Sequence, residues 1–333
     1  MRAARIHGYG GPDVLRVDPD APEPTPGPGE VLVAVHATSV NPIDCKIREG
    51  AFRAALRYRL PRTLGMDLSG VVAGVGARVT RWKVGDAVVA SPGPKTPGSY
   101  AELTVVRQAE LGRKPANLTH AEAASLPLAF LTAWQALVVH ARLQRGEKVL
   151  VQAGAGGVGT LAIQLAKHLG AWVATTCSAP NRALVSGLGA DRVIDYRSED
   201  YTEVLRDLDV VLDALGLDEV RRARAVVRRG GRIVGISVGL PERVARYGKV
   251  WGLVGTGLAI AQTVIGSRVR SGVRTRFFTR VPSGAQLDQM AELCEAGVIR
   301  PVVERVYGLD EIGAAHRHSD SGRARGKLVI ALQ

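Results

Sequence analysis

Cysteine is scarce in this chain: Cys45, Cys177 and Cys294 are the only three in 333 residues. They are too scattered for a disulfide framework or a Cys-x-x-Cys metal site, and no metal is expected. An apolar signal region is missing as well, since Met1-Arg2-Ala3-Ala4-Arg5-Ile6 leads straight toward a strand; a cytoplasmic protein is the expectation. Acid is in short supply, with 31 Asp and Glu against 44 Lys and Arg and a net charge of +13. The excess gathers in two arginine clusters, Arg221, Arg222, Arg224, Arg228, Arg229 and Arg232, then Arg268, Arg270, Arg274, Arg276 and Arg280. Neither has the interleaved aromatics of a nucleic-acid module, so no nucleic-acid partner is expected. One uncharged run stands out, Val250–Ser267. Its glycines, threonines, glutamine and serine argue for a buried helix or pocket wall over a membrane span, with a peripheral membrane contact as the lesser alternative.

What is present is an apolar strand running into a glycine turn and out into an amphipathic helix, Val149–Gly170. Gly154, Gly156 and Gly159 supply G-x-G-x-x-G, the spacing that gives a tight turn, close approach of backbone to a pyrophosphate, and close packing of helix on strand. The pyrophosphate is expected on the helix N-terminus, at Gly156, Gly157, Val158 and Gly159. An acid some 20 residues beyond the glycines would bind a ribose 2′-hydroxyl. None stands there: after the next strand, Trp172–Thr176, the chain reads Cys177-Ser178-Ala179-Pro180-Asn181-Arg182. Ser178 and Arg182 offer a hydroxyl and a guanidinium, and NADPH is expected over NADH.

A hydrophobic content of 46% in a chain of this length supports two cores. Up to about Ala124 the sequence is rich in Val, Gly and Pro with short strand-like runs (Val31–Val40, Leu68–Val75, Ala87–Ala90, Ala101–Val106), and the proline cluster of Ala21–Gly29 is an extended connector. From Glu122 strands alternate with helices, as in a doubly wound parallel sheet. The helices near Gly284–Ala296 and Leu309–Ser321 and a last strand, Lys327–Ala331, return to the first domain. The expected architecture is α/β: an irregular β domain of residues 1–124 and 282–333, and a Rossmann domain of residues 125–281.

Several motifs together resemble the medium-chain dehydrogenase/reductase superfamily, in its zinc-independent quinone oxidoreductase group. They are Ser39-Val40-Asn41-Pro42-Ile43-Asp44, Leu64-Gly65-Met66-Asp67-Leu68-Ser69-Gly70, Val84-Gly85-Asp86-Ala87-Val88, Leu131-Thr132-Ala133-Trp134, the glycine motif and Ala324-Arg325-Gly326-Lys327. The long segment Gly239–Val281 resembles the reticulon-interacting branch of that group. The resemblance implies a GroES-like β domain covering the Rossmann domain with the reaction in the cleft, and a homodimer. Zinc relatives ligate metal near the positions of Asn41, Met66 and, approximately, Leu128; here Met and Asn are poor zinc ligands.

By the same resemblance Thr132 lies beside the nicotinamide, Tyr196 near the adenosine phosphate, and Ala214, Leu215, Gly216, Gly235 and Ile236 close to the cofactor, with Phe277 and Phe278 closing over it. Asn41, Asp44 and Lys46 are the catalytic candidates, Lys46 as proton donor or oxyanion partner. Tyr58 is a further candidate, Tyr100 is expected to pack, and Arg325 and Lys327 are expected at a solvated basic turn. The expected activity is hydride transfer from NADPH to small-molecule quinones or α,β-unsaturated carbonyl compounds. Two alternatives stay open: an enoyl-thioester reductase of lipid or polyketide assembly, and an NADPH-binding redox sensor or nucleic-acid binder with little catalysis.

Overall fold

The computed structural model describes residues 1–53, 58–94, 96–238 and 248–332. Parts of two segments named above, residues 54–57 of the loop before Arg62 and residues 239–247 of the long segment after Ile236, lie outside them.

The chain opens with strands β1 (Ala3–Ile6), β2 (Leu15–Asp18), β3 (Glu30–Val40), β4 (Arg62–Thr63), β5 (Leu68–Val75), β6 (Ala87–Ala90), β7 (Leu103–Arg107) and β8 (Leu111–Arg113). A small sheet has the order β2-β1-β4, while β3, β5, β6 and β8 run side by side in a larger one with β7 also on β3. Along β3, Val31, Val33 and Val35 point inward with the period of two that a half-covered strand needs, and they pack with Leu68, Val72 and Val88. The proline-rich stretch before β3 forms neither helix nor strand.

Strands β9 (Lys148–Val151), β10 (Trp172–Cys177), β11 (Arg192–Asp195), β12 (Leu208–Asp213), β13 (Val227–Gly235) and β14 (Arg274–Phe277) then form a parallel sheet. Its order, β11-β10-β9-β12-β13-β14, reverses direction at β9. Such a switch point is where open α/β sheets bind ligands. Val149, Leu150 and Val151 are fully buried, as parallel strands covered on both faces must be. After β14 the helix Gly284–Glu295, β15 (Val303–Gly308), the helix Ile312–Asp320 and β16 (Lys327–Ala331) follow, and β16 lies antiparallel to β3 with Leu328 opposite Val40.

The chain divides into two compact units, Met1–Leu131 with Val281–Gln333, and Thr132–Arg280. The first boundary falls later than the residue 124 read from the sequence. The amide of Leu128 donates to Asp67 Oδ1 at 2.6 Å and ties the start of the helix Pro127–Trp134 to the first unit.

The uncharged run is helical, in Lys249–Ser271; of the buried helix or pocket wall expected, the helix is buried on one face only, and Val264 lines a cavity. Thr256, Thr263 and Ser267 face inward, each hydroxyl bonded to the carbonyl four residues back, while Val254, Leu258, Ile265 and Val269 face out. No helix among the described residues is long and apolar enough to cross a membrane.

Candidate active site

The glycine turn follows β9 as its spacing predicts, and the structure separates the jobs of its three glycines. None has a positive φ; the left-handed residue of the turn is Ala153, at φ 54°. A Cβ on Gly154 would stand 1.9 Å from Thr175 Oγ1, which is bonded to Val151 O across the sheet. One on Gly159 would stand 2.3 Å from the Ala153 carbonyl oxygen, so the helix Gly157–His168 could not seat on its strand. Gly156 differs: its Cβ would meet only Ala153 O, at 3.3 Å. It caps the helix without a side-chain bond. The amides of Gly157, Val158 and Gly159 have no acceptor within the helix, and the dipole adds partial positive charge there. An open backbone with three aimed donors fits a pyrophosphate.

Other expected cofactor residues lie past the carboxyl ends of the same sheet. Cys177 and Asp195 are register partners, so Ser178 and Tyr196 follow adjacent strand ends, and the Tyr196 amide bonds to Cys177 O at 3.3 Å. Arg182 is exposed, with one guanidinium nitrogen 3.2 Å from Val193 O, and Tyr196 is 60% exposed. The one acid at these ends, Asp195, is buried and accepts from the Arg197 amide.

Past β12, Asp213 shapes the loop holding Ala214 and Leu215, accepting from the amides of Gly216 at 2.9 Å and Leu215 at 3.3 Å. Burial raises its carboxyl to about 7 even so. Gly216 sits at φ 118°, where only glycine is at ease. Ile236 follows β13 and bonds by its amide to Asp213 O. Thr132 is buried. The Phe277 ring covers Gly235, where a Cβ would meet it at 2.5 Å, and Phe278 lies 4.5 Å from His140. Both rings thus have packing partners within the Rossmann unit.

In the first unit, Asn41 caps the helix Pro42–Arg48 and its side chain bridges two charged residues. Nδ2 donates to Asp67 Oδ2 at 2.8 Å and Oδ1 accepts from Lys327 Nζ at 2.5 Å. Lys327 Nζ also reaches Val40 O at 3.2 Å and Asp67 Oδ2 at 3.3 Å, and Ser39 Oγ donates to the same carboxylate oxygen at 2.6 Å. Asp67 is fully buried and Lys327 is 6% exposed. Lys327 is therefore no solvated residue of a basic turn: β16 begins at it and draws its ammonium onto β3. Asn41 thus spends one amide hydrogen on Asp67 and one lone pair of Oδ1 on Lys327. The one sequence sign of this hub was a lysine opening an otherwise apolar strand.

Asp44 is buried and closes a capping box, its Oδ2 accepting from the Asn41 amide at 3.0 Å. Among the described residues its Oδ1 has no hydrogen-bond partner, nor has the buried hydroxyl of Tyr58, and both residues line one small cavity with Arg62, whose guanidinium lies 4.5 Å from the Tyr58 ring. Burial, then the nearby Asp67, raise Asp44 to about 7, which favours its protonated form below neutral pH. Lys46 is half-buried on the same short helix. Tyr100 is fully buried, its hydroxyl 3.2 Å from His316 Nε2, the packing role expected. Among the described residues no three His, Cys, Asp or Glu side chains gather as a metal site.

Two family models match, an alcohol dehydrogenase GroES-like domain over residues 27–116 and a zinc-binding dehydrogenase domain over residues 188–330. The mitochondrial NAD(P)H oxidoreductase RTN4IP1 of Danio rerio is 36% identical over 100% of this chain and 91% of its own length. The chloroplastic NADPH-dependent alkenal/one oxidoreductase of Arabidopsis thaliana is 34% identical over 99% of this chain and 79% of its own. Among solved structures, Escherichia coli quinone oxidoreductase complexed with NADPH superposes with a TM-score of 0.83 at 27% identity, covering 100% of both chains. With the glycine turn, the strand-end residues and the GroES-like sheet all in place, the chain belongs to the medium-chain dehydrogenase/reductase superfamily, as an oxidoreductase of its quinone oxidoreductase group.

Proposed function

We propose that this protein reduces quinones or α,β-unsaturated carbonyl compounds with NADPH and without a metal. The observation that carries the cofactor choice is the pair of strand ends at Ser178 and Tyr196, where a hydroxyl, an exposed guanidinium and a phenol stand with no free carboxylate to repel a 2′-phosphate. The glycine turn and the orphan amides of Gly157–Gly159 hold the pyrophosphate. The nicotinamide supplies the hydride.

Metal-free chemistry is supported by the hub. Asn41, which stands where relatives place a zinc ligand, gives its Oδ1 to the Lys327 ammonium, and Asp67 gives it Oδ2. Those oxygens already hold a cation. A conjugated acceptor needs less polarisation than a simple ketone, because conjugation spreads the charge that hydride transfer creates. Burial makes the Asp44 carboxyl able to take up and release a proton near neutral pH, and Asn41 with Asp67 fixes the helix that carries Asp44 and Lys46.

The test follows NADPH absorbance with the purified protein against 1,4-benzoquinone, an enone, an alkenal and crotonyl-coenzyme A, each repeated with NADH. Turnover of a quinone or an enone, faster with NADPH, is expected. Turnover of crotonyl-coenzyme A alone would move the reading to an enoyl-thioester reductase, and tight NADPH binding with no turnover would sink it.

A further inference from the structure

Arg48, the last residue of the helix Pro42–Arg48, is an arginine taken almost wholly out of water, at 1% exposure. Its guanidinium is held from outside: Nε donates to Gly10 O at 3.1 Å, and Nη2 donates to Glu49 Oε1 at 2.8 Å and Asp320 Oδ2 at 2.9 Å. The remaining nitrogen, Nη1, lies 3.1 Å from Nδ1 of the fully buried His316. A guanidinium can only donate, so Nδ1 accepts and the ring hydrogen sits on Nε2. The Cys45 thiol, kept protonated because burial raises it to about 12, approaches the same Nδ1 at 3.5 Å as a second, weak donor. Burial, then the Arg48 charge, lower His316 to about 3, and the imidazole is neutral.

That Nε2 hydrogen faces Tyr100, whose hydroxyl oxygen is 3.2 Å away with the two rings at 87°. Once the phenol oxygen accepts from His316, the phenol must give its own hydrogen elsewhere. Asp44 acts on this hydroxyl by charge and as a hydrogen-bond acceptor, and together with burial, the larger cause, it holds Tyr100 well above its ordinary value. Asp44 Oδ1 is the buried acceptor still open, since no hydrogen bond of ordinary length reaches it among the described residues. The other titratable groups around Asp44 are Asp67 and Lys327 across the hub, Cys45 on its own helix, and Tyr58 with Arg62 at the small cavity.

We propose that Arg48, His316 and Tyr100 form a positioning chain that turns the Tyr100 hydrogen onto Asp44. Arg48 fixes the tautomer, the Nε2 hydrogen occupies the phenol oxygen, and the phenol hydrogen is left with the carboxyl as its acceptor. A hydrogen bond to the charged form favours that form, so the chain steadies the carboxylate that remains after Asp44 releases its proton. Its use rests on the reaction proposed above, in which each hydride received from NADPH calls for one proton on the acceptor; Asp44 gives that proton up and recovers it from solvent.

The experiment is titration of the Asp44 carboxyl itself, followed by carbon NMR in the full chain and assigned by the signal that Asp44→Asn removes. Tyr100→Phe keeps the ring and should move the midpoint up by about one to two pH units, the effect of one hydrogen bond to a carboxylate. His316→Leu should move it the same way by about half as much, whereas His316→Gln, whose amide still donates to the phenol, should restore most of the difference. A merely structural role would lower thermal midpoints and leave Asp44 where it was. An unmoved Asp44 in Tyr100→Phe, or equal shifts in His316→Gln and His316→Leu, would overturn the proposal, and if the His316 variants do not fold, Tyr100→Phe decides alone. The alkaline limb of kcat for quinone reduction should follow the same shift. A carboxyl that shifts while that limb stays in place would leave the chain standing and remove Asp44 as the acid of the reaction, so the two failures are distinguishable.

Discussion

The cofactor-side turn and the buried hub of the first unit gather polar groups by opposite routes. The turn is local: strand, glycines and helix lie within Lys148–His168, and its donors are backbone amides. The hub is assembled from Ser39, Asn41, Asp67, Leu128 and Lys327, which meet through the pairing of β3 with β5 and β16. Local geometry is written in sequence, because a position where a Cβ would lie 2.3 Å from a carbonyl oxygen must be glycine. Nonlocal convergence is not, since any apolar strand can begin with a lysine. The parallel strands were likewise legible to within a few residues from their Val- and Ile-rich runs. The outward-facing helix was not, because eighteen uncharged residues read the same whichever face is buried.

The sharpest way to break this comparison is to remove the hub's cation. Lys327→Met leaves the Asp67 carboxylate buried opposite no charge, and a loss of about 3–5 kcal/mol in urea unfolding is expected. Adding Asp67→Leu should cost less than the sum of the two single changes, since partners in one network couple. A single-variant loss near zero would mean that no charged pair is held there.

Asp44 offers a comparison inside the first unit, a carboxyl whose burial favours the protonated form beside one held by a lysine. Its folded value near 7 lies above the ordinary 3.8. Between those values the native state keeps a proton that the unfolded chain has released, so this group's contribution is complete below about pH 4, falls as pH rises and levels off above about 7. Asp44→Asn retains an acceptor for the Asn41 amide and should remove part of that slope, on the order of a few kcal/mol between pH 5 and pH 8. Thermal midpoints that fall equally in both proteins over that range would show that Asp44 titrates normally.

Within the turn, the glycines should fail differently. Gly159→Ala drives a Cβ into backbone and should cost about 1–3 kcal/mol of stability together with NADPH binding. Gly156→Ala meets only Ala153 O at 3.3 Å and should leave the fold intact while obstructing the surface a pyrophosphate approaches. Equal thermal losses in the two variants would erase the distinction between packing and access drawn here.

The smallest effect separates recognition by side chains from recognition by backbone in the same unit. Arg182 is exposed and bonded only to Val193 O among the described residues, so Arg182→Ala removes little from the fold. A charge-assisted bond to a phosphate is worth about 1.5–3 kcal/mol, and exposure puts this one at the lower end. Affinity for NADPH should therefore fall about tenfold while affinity for NADH, which lacks the 2′-phosphate, stays within a factor of about two. The contrast should shrink with added salt, because the guanidinium acts across solvent. Equal losses for both cofactors would instead make Arg182 a support of the β11 end through Val193, and phosphate selection would then fall to Ser178 and Tyr196.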